Sequence, residues 1–248
     1  MKIAVAGKGG TGKTTFCGLL IRELVASGKT PVLAVDADPN STLGETLGIE
    51  YAATISDCRE EIRQEKSIPP GMAKSDYIEM RLNEILVESR GVDLLVMGMP
   101  EGRRCYCYVN EILRTYLSRI SKSYAHVIMD NEAGMEHLSR RTTDDVDVLF
   151  IVSEPTAVSI RSASRVVQAS VGIGLNIKKT YLVLNKSRKP VQDREKFRLQ
   201  GENIETVAAI PYDEILIKNS ENGETIFKIP QDATCVPEIK NIIEKLKI

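Results

Sequence analysis

Seven short stretches of this chain are apolar at nearly every position: Ile3 to Ala6, Val32 to Val35, Leu94 to Met97, Val127 to Met129, Val148 to Val152, Tyr181 to Leu184 and Val207 to Ile210. None alternates, so none reads as a strand with one wet face. A continuously apolar run belongs in a strand covered on both sides. Helix-length segments lie between the runs, among them Lys13 to Ala26, Tyr108 to Ile120 and Thr156 to Ser170. Strands that alternate with helices are joined by right-handed crossovers. The expected fold is therefore α/β, a doubly wound, mostly parallel sheet flanked by helices on both faces. No repeat, low-complexity tract or Pro/Gly/Ser-rich linker interrupts residues 1–248, which are read as a single domain. The least regular part is 52–74, where Ile68-Pro69-Pro70-Gly71 breaks any helix. It reads as a long exposed connection or a surface excursion that meets a partner.

The first apolar run leads straight into Gly7-Lys8-Gly9-Gly10-Thr11-Gly12-Lys13-Thr14-Thr15, which fits G-x-x-x-x-G-K-[ST] at a strand-to-helix junction. Glycines let the backbone curl until its N–H groups point at phosphate oxygens, and the helix N-terminus adds positive potential. This is the pattern of a P-loop nucleoside triphosphatase. Gly9, Gly10, Thr11, Gly12, Lys13, Thr14 and Thr15 are its candidate nucleotide ligands. Lys13 would reach the β- and γ-phosphates, and the Thr14 hydroxyl would ligate Mg²⁺. Lys8 is a second lysine that a plain P-loop does not need; on its own it reads as a solvated loop charge.

Two further strand ends carry acids. Asp36-Ala37-Asp38 closes the second run, and Asp130 closes the Val127 to Met129 run, followed by Asn131-Glu132-Ala133-Gly134. The carboxyl edge of an open parallel sheet is where ligands bind. Asp130 there suits a Mg²⁺ ligand, direct or through water, whereas a lone Asp after a strand can equally cap a helix. A guanine-reading N-K-x-D motif is incomplete, because Asn185-Lys186-Ser187 is followed by Arg188. ATP and ADP are the expected nucleotides.

Cys105-Tyr106-Cys107 follows an apolar strand and precedes a helix with an apolar stripe at Val109, Ile112, Leu113, Tyr116, Leu117 and Ile120. Residues i and i+2 of an extended turn project to one side, so both sulfurs could reach one metal ion. Two thiolates are too few for a closed four-ligand site. Two chains related by a two-fold axis would supply four. A pair of inert buried thiols is the plainer reading of the same spacing.

Taken together these segments resemble the deviant Walker A class that includes MinD, ParA and the nitrogenase iron protein. Within that class, Cys105-x-Cys107 and Asp130 to His137 resemble the CooC-type ATPases, accessory proteins for nickel insertion into carbon monoxide dehydrogenase and acetyl-CoA synthase. The match runs from Met1 to Asp213. The resemblance implies a catalytic set of Lys8, Lys13 and Asp38, with Lys8 crossing a dimer interface to the partner's nucleotide and Asp38 positioning the attacking water. It implies Mg²⁺ held by Thr14, Asp36 and Asp130, and adenine met by Asn185, Lys186, Pro211 and Tyr212. It also implies a homodimer when ATP or metal is bound. Ni²⁺ or Zn²⁺ would be shared between Cys105 and Cys107 of both chains, for a client carbon monoxide dehydrogenase or acetyl-CoA synthase.

Two other readings compete. Proteins of the nitrogenase iron protein type hold their cluster with cysteines far apart in sequence, and none lies between Tyr108 and Lys228, although four thiolates across a dimer could still hold an iron–sulfur cluster. A MinD- or ParA-like positioning ATPase would bind membrane or DNA. Here 33 Lys and Arg balance 34 Asp and Glu, Trp is absent and aromatics are 5%, which argues against nucleic-acid binding. The C-terminal stretch Glu238 to Ile248 has a one-sided apolar face without an aromatic anchor, so docking on the domain is expected in place of stable membrane association. No apolar run approaches the roughly 20 residues that span a bilayer, and a cytoplasmic location is expected.

Overall fold

A computed structural model describes residues 1–63, 68–99, 107–132, 145–172, 175–188 and 204–248. All seven apolar runs are strands. In chain order the first half is β1 (Lys2–Ala6), α1 (Lys13–Ala26), β2 (Val32–Ala37), α2 (Leu43–Leu47), α3 (Ile55–Arg63), α4 (Lys74–Ile85) and β3 (Val92–Val96). Then follow α5 (Cys107–Ile120), β4 (His126–Asn131), β5 (Asp145–Ser153), α6 (Ala157–Gly172), β6 (Asn176–Ser187), β7 (Glu205–Pro211), α7 (Glu214–Glu221) and α8 (Val236–Leu246). The strands form one parallel sheet in the order β3-β2-β4-β1-β5-β6-β7.

Each strand feeds two cores, as continuously apolar strands must. Ile3 and Val5 of β1 face α1, α2 and α8, while Ala4 and Ala6 face α3, α4, α5 and α6. The chain winds from β1 to β2 and β3 on one side and returns through β4 before passing to β5, β6 and β7 on the other. The crevice of such a sheet opens at the carboxyl ends of the strands around the reversal, here beyond β1, β4 and β5.

The long exposed connection expected over 52–74 is corrected. Residues 55–63 are helix α3, and Ile55, Cys58 and Ile62 are buried in the second core. Their i, i+3, i+7 spacing is a helical stripe, obscured in sequence by Arg59, Glu60 and Glu61 between its members. The C-terminal helix docks as expected: Ile239, Ile242 and Ile243 of α8 are buried in the first core. A buried pair, Arg22 and Glu23 of α1, sits under it, with Arg22 also donating to the Ile229 carbonyl and Lys240 of α8 lying 3.9 Å from Glu23 Oε2.

Candidate nucleotide site

The glycine loop leaves β1 and turns into α1 with no room for a side chain at either end, Gly7 or Gly12. Gly7 has φ +153°, and a Cβ there would lie 2.2 Å from the Val152 carbonyl oxygen. Gly12 has φ +91°, and a Cβ there would lie 2.3 Å from Asn185 Nδ2. Within the turn the Thr11 hydroxyl donates to the Lys8 carbonyl at 2.8 Å. Helix α1 starts with no side-chain cap and no acid in its first turn, so its first N–H groups and its dipole are left for an anion. Lys13 is buried, Thr14 and Thr15 are half-buried, and Lys8, Gly9 and Gly10 are exposed.

Below the loop, Asp36 and Asp130 are register partners on β2 and β4, and both are fully buried. Burial pushes Asp36 up to about 7, against the backbone N–H of Leu43, with Asp130 pushing the same way. Its Oδ2 accepts from Leu43 N at 2.8 Å and its Oδ1 from Asp38 N at 3.2 Å. Asp36 therefore holds the entry to α2 through the N–H of its first residue, Leu43. Asp130 differs. Burial raises it to about 6, while Thr14 and Lys13 draw it down. Neither of its carboxylate oxygens has a hydrogen-bond partner of full geometry. Two buried carboxylates with one lysine near them are short of positive charge, and a hard divalent cation with oxygen ligands fits that donor set. Asp38 is half-buried and accepts from both the backbone and side-chain nitrogens of Asn40 at 2.9 Å.

Beside the loop, Asn185, Lys186, Pro211 and Tyr212, the four residues expected at adenine, line one pocket. Sequence reasoning missed its apolar wall: Phe16 and Leu19 from α1, and Leu216 and Ile217 from α7. The i, i+3 pair on α1 was a usable signal, since it follows the glycine loop directly and lines the same pocket as Gly12 and Thr15. Asp213 caps α7, accepting from Ile215 N at 2.9 Å and from the Thr234 hydroxyl at 2.7 Å. Burial opposes its charge, yet those bonds and the Cys235 N–H hold its carboxyl below the usual range. Arg188 stacks on Tyr212, its guanidinium 4.7 Å from the ring centroid.

Residues 2–226 match the CobQ/CobB/MinD/ParA nucleotide binding domain. The chain belongs to that family. It is a P-loop ATPase of the MinD/ParA class. Several relatives match along nearly their full lengths. An uncharacterized ATP-binding protein of Methanocaldococcus jannaschii is 39% identical over 250 residues, covering 99% of this chain and 98% of that protein. The carbon monoxide dehydrogenase accessory protein CooC of Rhodospirillum rubrum is 31% identical over 241 residues, covering 92% of this chain and 90% of that one. Among solved structures, the MinD protein of Pyrococcus horikoshii complexed with Mg-ADP aligns with a TM-score of 0.70 at 18% identity, covering 99% of this chain and 95% of that chain. The ATPase places its P-loop, both buried acids and the pocket lined by Asn185, Lys186, Pro211 and Tyr212 at one sheet edge. The predicted metal ligand Cys105 and the side chain of Cys107 lie outside the described residues. Among the described residues no group of three or more His, Cys, Asp or Glu side chains could hold a metal ion, and no helix is long and apolar enough to cross a membrane.

Proposed function

We propose that this ATPase is a nucleotide-switched dimeric metallochaperone that carries nickel to carbon monoxide dehydrogenase or acetyl-CoA synthase. The observation that carries the reading is the 31% identity to a carbon monoxide dehydrogenase accessory protein along nine-tenths of both chains. The Cys105-x-Cys107 pair agrees with it. Residues 1–248 act as one domain in this scheme. The α1 N-terminus and Lys13 bind the phosphates. Thr14 and Asp130 hold Mg²⁺, with Asp36 supporting its shell, and the ion supplies charge that offsets the charge developing on the phosphates. Asp38 orients the attacking water, and Lys8 reaches the partner's nucleotide. Nickel or zinc is the cargo, taken by two Cys pairs across the dimer axis.

Metal content of the anaerobically purified protein, with and without a non-hydrolysed ATP analogue, tests the reading. Metal at one ion per two chains, lost in the double change Cys105→Ser with Cys107→Ser, is the expected result; metal unaffected by that change would overturn it. The competing reading, a MinD-type positioning ATPase, has the shared fold in its favour. Its outcome in the same series would be ATP-dependent co-sedimentation with anionic vesicles. The buried apolar face of α8 leaves no such surface on that helix.

A further inference from the structure

β6 and β7 fall out of step at the nucleotide edge. Leu184 pairs with Ala209, whereas Ser187 pairs with Pro211, so β6 takes one residue more than its neighbour. Within this bulge Lys186 adopts φ +56°. A regular strand would send side chains 185 and 186 to opposite faces, and bulges beside functional sites re-aim side chains. Both side chains here reach the same loop. Asn185 Nδ2 donates to the Thr11 carbonyl at 2.8 Å, and Lys186 Nζ donates to the Gly10 carbonyl at 2.6 Å. Behind the lysine stands Glu154, whose Oε1 is 3.3 Å from Nζ. Glu154 is itself tethered, its N–H donating to the Ser159 hydroxyl at 3.1 Å.

A left-handed lysine is strained, and such strain persists only where its surroundings hold it. The Gly9–Gly10 tip shows what is gained. A Cβ at either glycine would meet nothing within 4 Å, so no packing secures the tip. A loop whose N–H groups must face phosphate has to turn carbonyls outward, and an outward carbonyl is a handle. We propose that Lys186, backed by Glu154, is a positioning residue that grips the Gly10 carbonyl and fixes the tip of the phosphate loop, instead of reading the base whose pocket it borders.

Three variants test this: Lys186→Ala, Lys186→Arg and Glu154→Gln. Losing a charge-assisted hydrogen bond should lower kcat/KM for ATP about tenfold in Lys186→Ala, with most of it recovered in Lys186→Arg and an intermediate loss in Glu154→Gln. Hydrogen exchange of the Gly9, Gly10 and Thr11 amides in nucleotide-free protein should speed up in Lys186→Ala while the sheet stays protected. Preference for ATP over GTP should not move. A changed ATP-to-GTP ratio would assign the lysine to the base and overturn the proposal. So would an unchanged kcat/KM, or tip exchange at the wild-type rate. If Lys186→Ala does not fold, the same measurements on Glu154→Gln decide between the same outcomes.

Discussion

At the scale of single residues, the site separates roles that look alike in sequence. Asp36 and Asp130 are both strand-end acids, yet one is occupied by backbone N–H groups and the other is left without partners. Lys13→Ala should remove nucleotide binding, whereas Asp38→Asn should keep binding and lose turnover, read by titration calorimetry beside phosphate release. Equal loss of binding in both would end the water-orienting role given to Asp38. The buried acids also set a pH dependence. Asp36 and Asp130 titrate at about 7 and about 6 in the fold, above their ordinary 3.8. The folded state therefore keeps protons that the unfolded chain has released, and the stability these groups contribute falls as pH rises toward 7. The Tm of nucleotide-free protein should drop between about pH 5.5 and about pH 8 more than that of Asp130→Asn. A smaller drop in the wild type would contradict the assignment.

At the scale of elements, what could be read beforehand tracks how local the cause is. α1 begins at Lys13 and ends at Ala26, as its pattern predicts, because glycine and a phosphate-facing helix start are properties of adjacent residues. α3 was hidden because its apolar stripe is three residues among charges, and only burial against the sheet makes it a helix worth forming. Ile62→Ala should cost about 2–5 kcal/mol in denaturant unfolding; a cost near zero would mean that α3 is not core. The bulge that redirects Asn185 and Lys186 had no sequence signature either, since it comes from pairing with β7. Arg22 and Glu23 are charged residues of α1, yet both are buried beneath α8. Glu23→Ala leaves the arginine charge uncompensated and should destabilise by about 3–5 kcal/mol, a loss that equilibrium melting would register.

At the scale of the whole molecule, the proposed metal and nucleotide functions should be thermodynamically linked. If two chains must align to complete both a metal site and an ATP site, each ligand strengthens the other by the same factor, typically about 5–150-fold. Metal titrated with and without an ATP analogue, alongside sedimentation, measures that factor. Equal affinities in the two conditions would uncouple the sites. A final consequence comes from the direction of the strands. All seven run the same way, so the phosphate loop, both acids and the pocket beside Asn185 share one edge, and the other edge carries connections such as Ser89 and Arg90 before β3 or Lys122 and Ser123 before β4. Those residues, apart from their turns, are exposed. Among the described residues, those assigned to the nucleotide therefore sit on one side of the sheet and these exposed connections on the other. A tether or fluorophore placed at Ser123→Cys, in a chain whose Cys105 and Cys107 have been changed to Ser, would hold the copies in one orientation, with the nucleotide edge turned toward solution and free to meet a second chain.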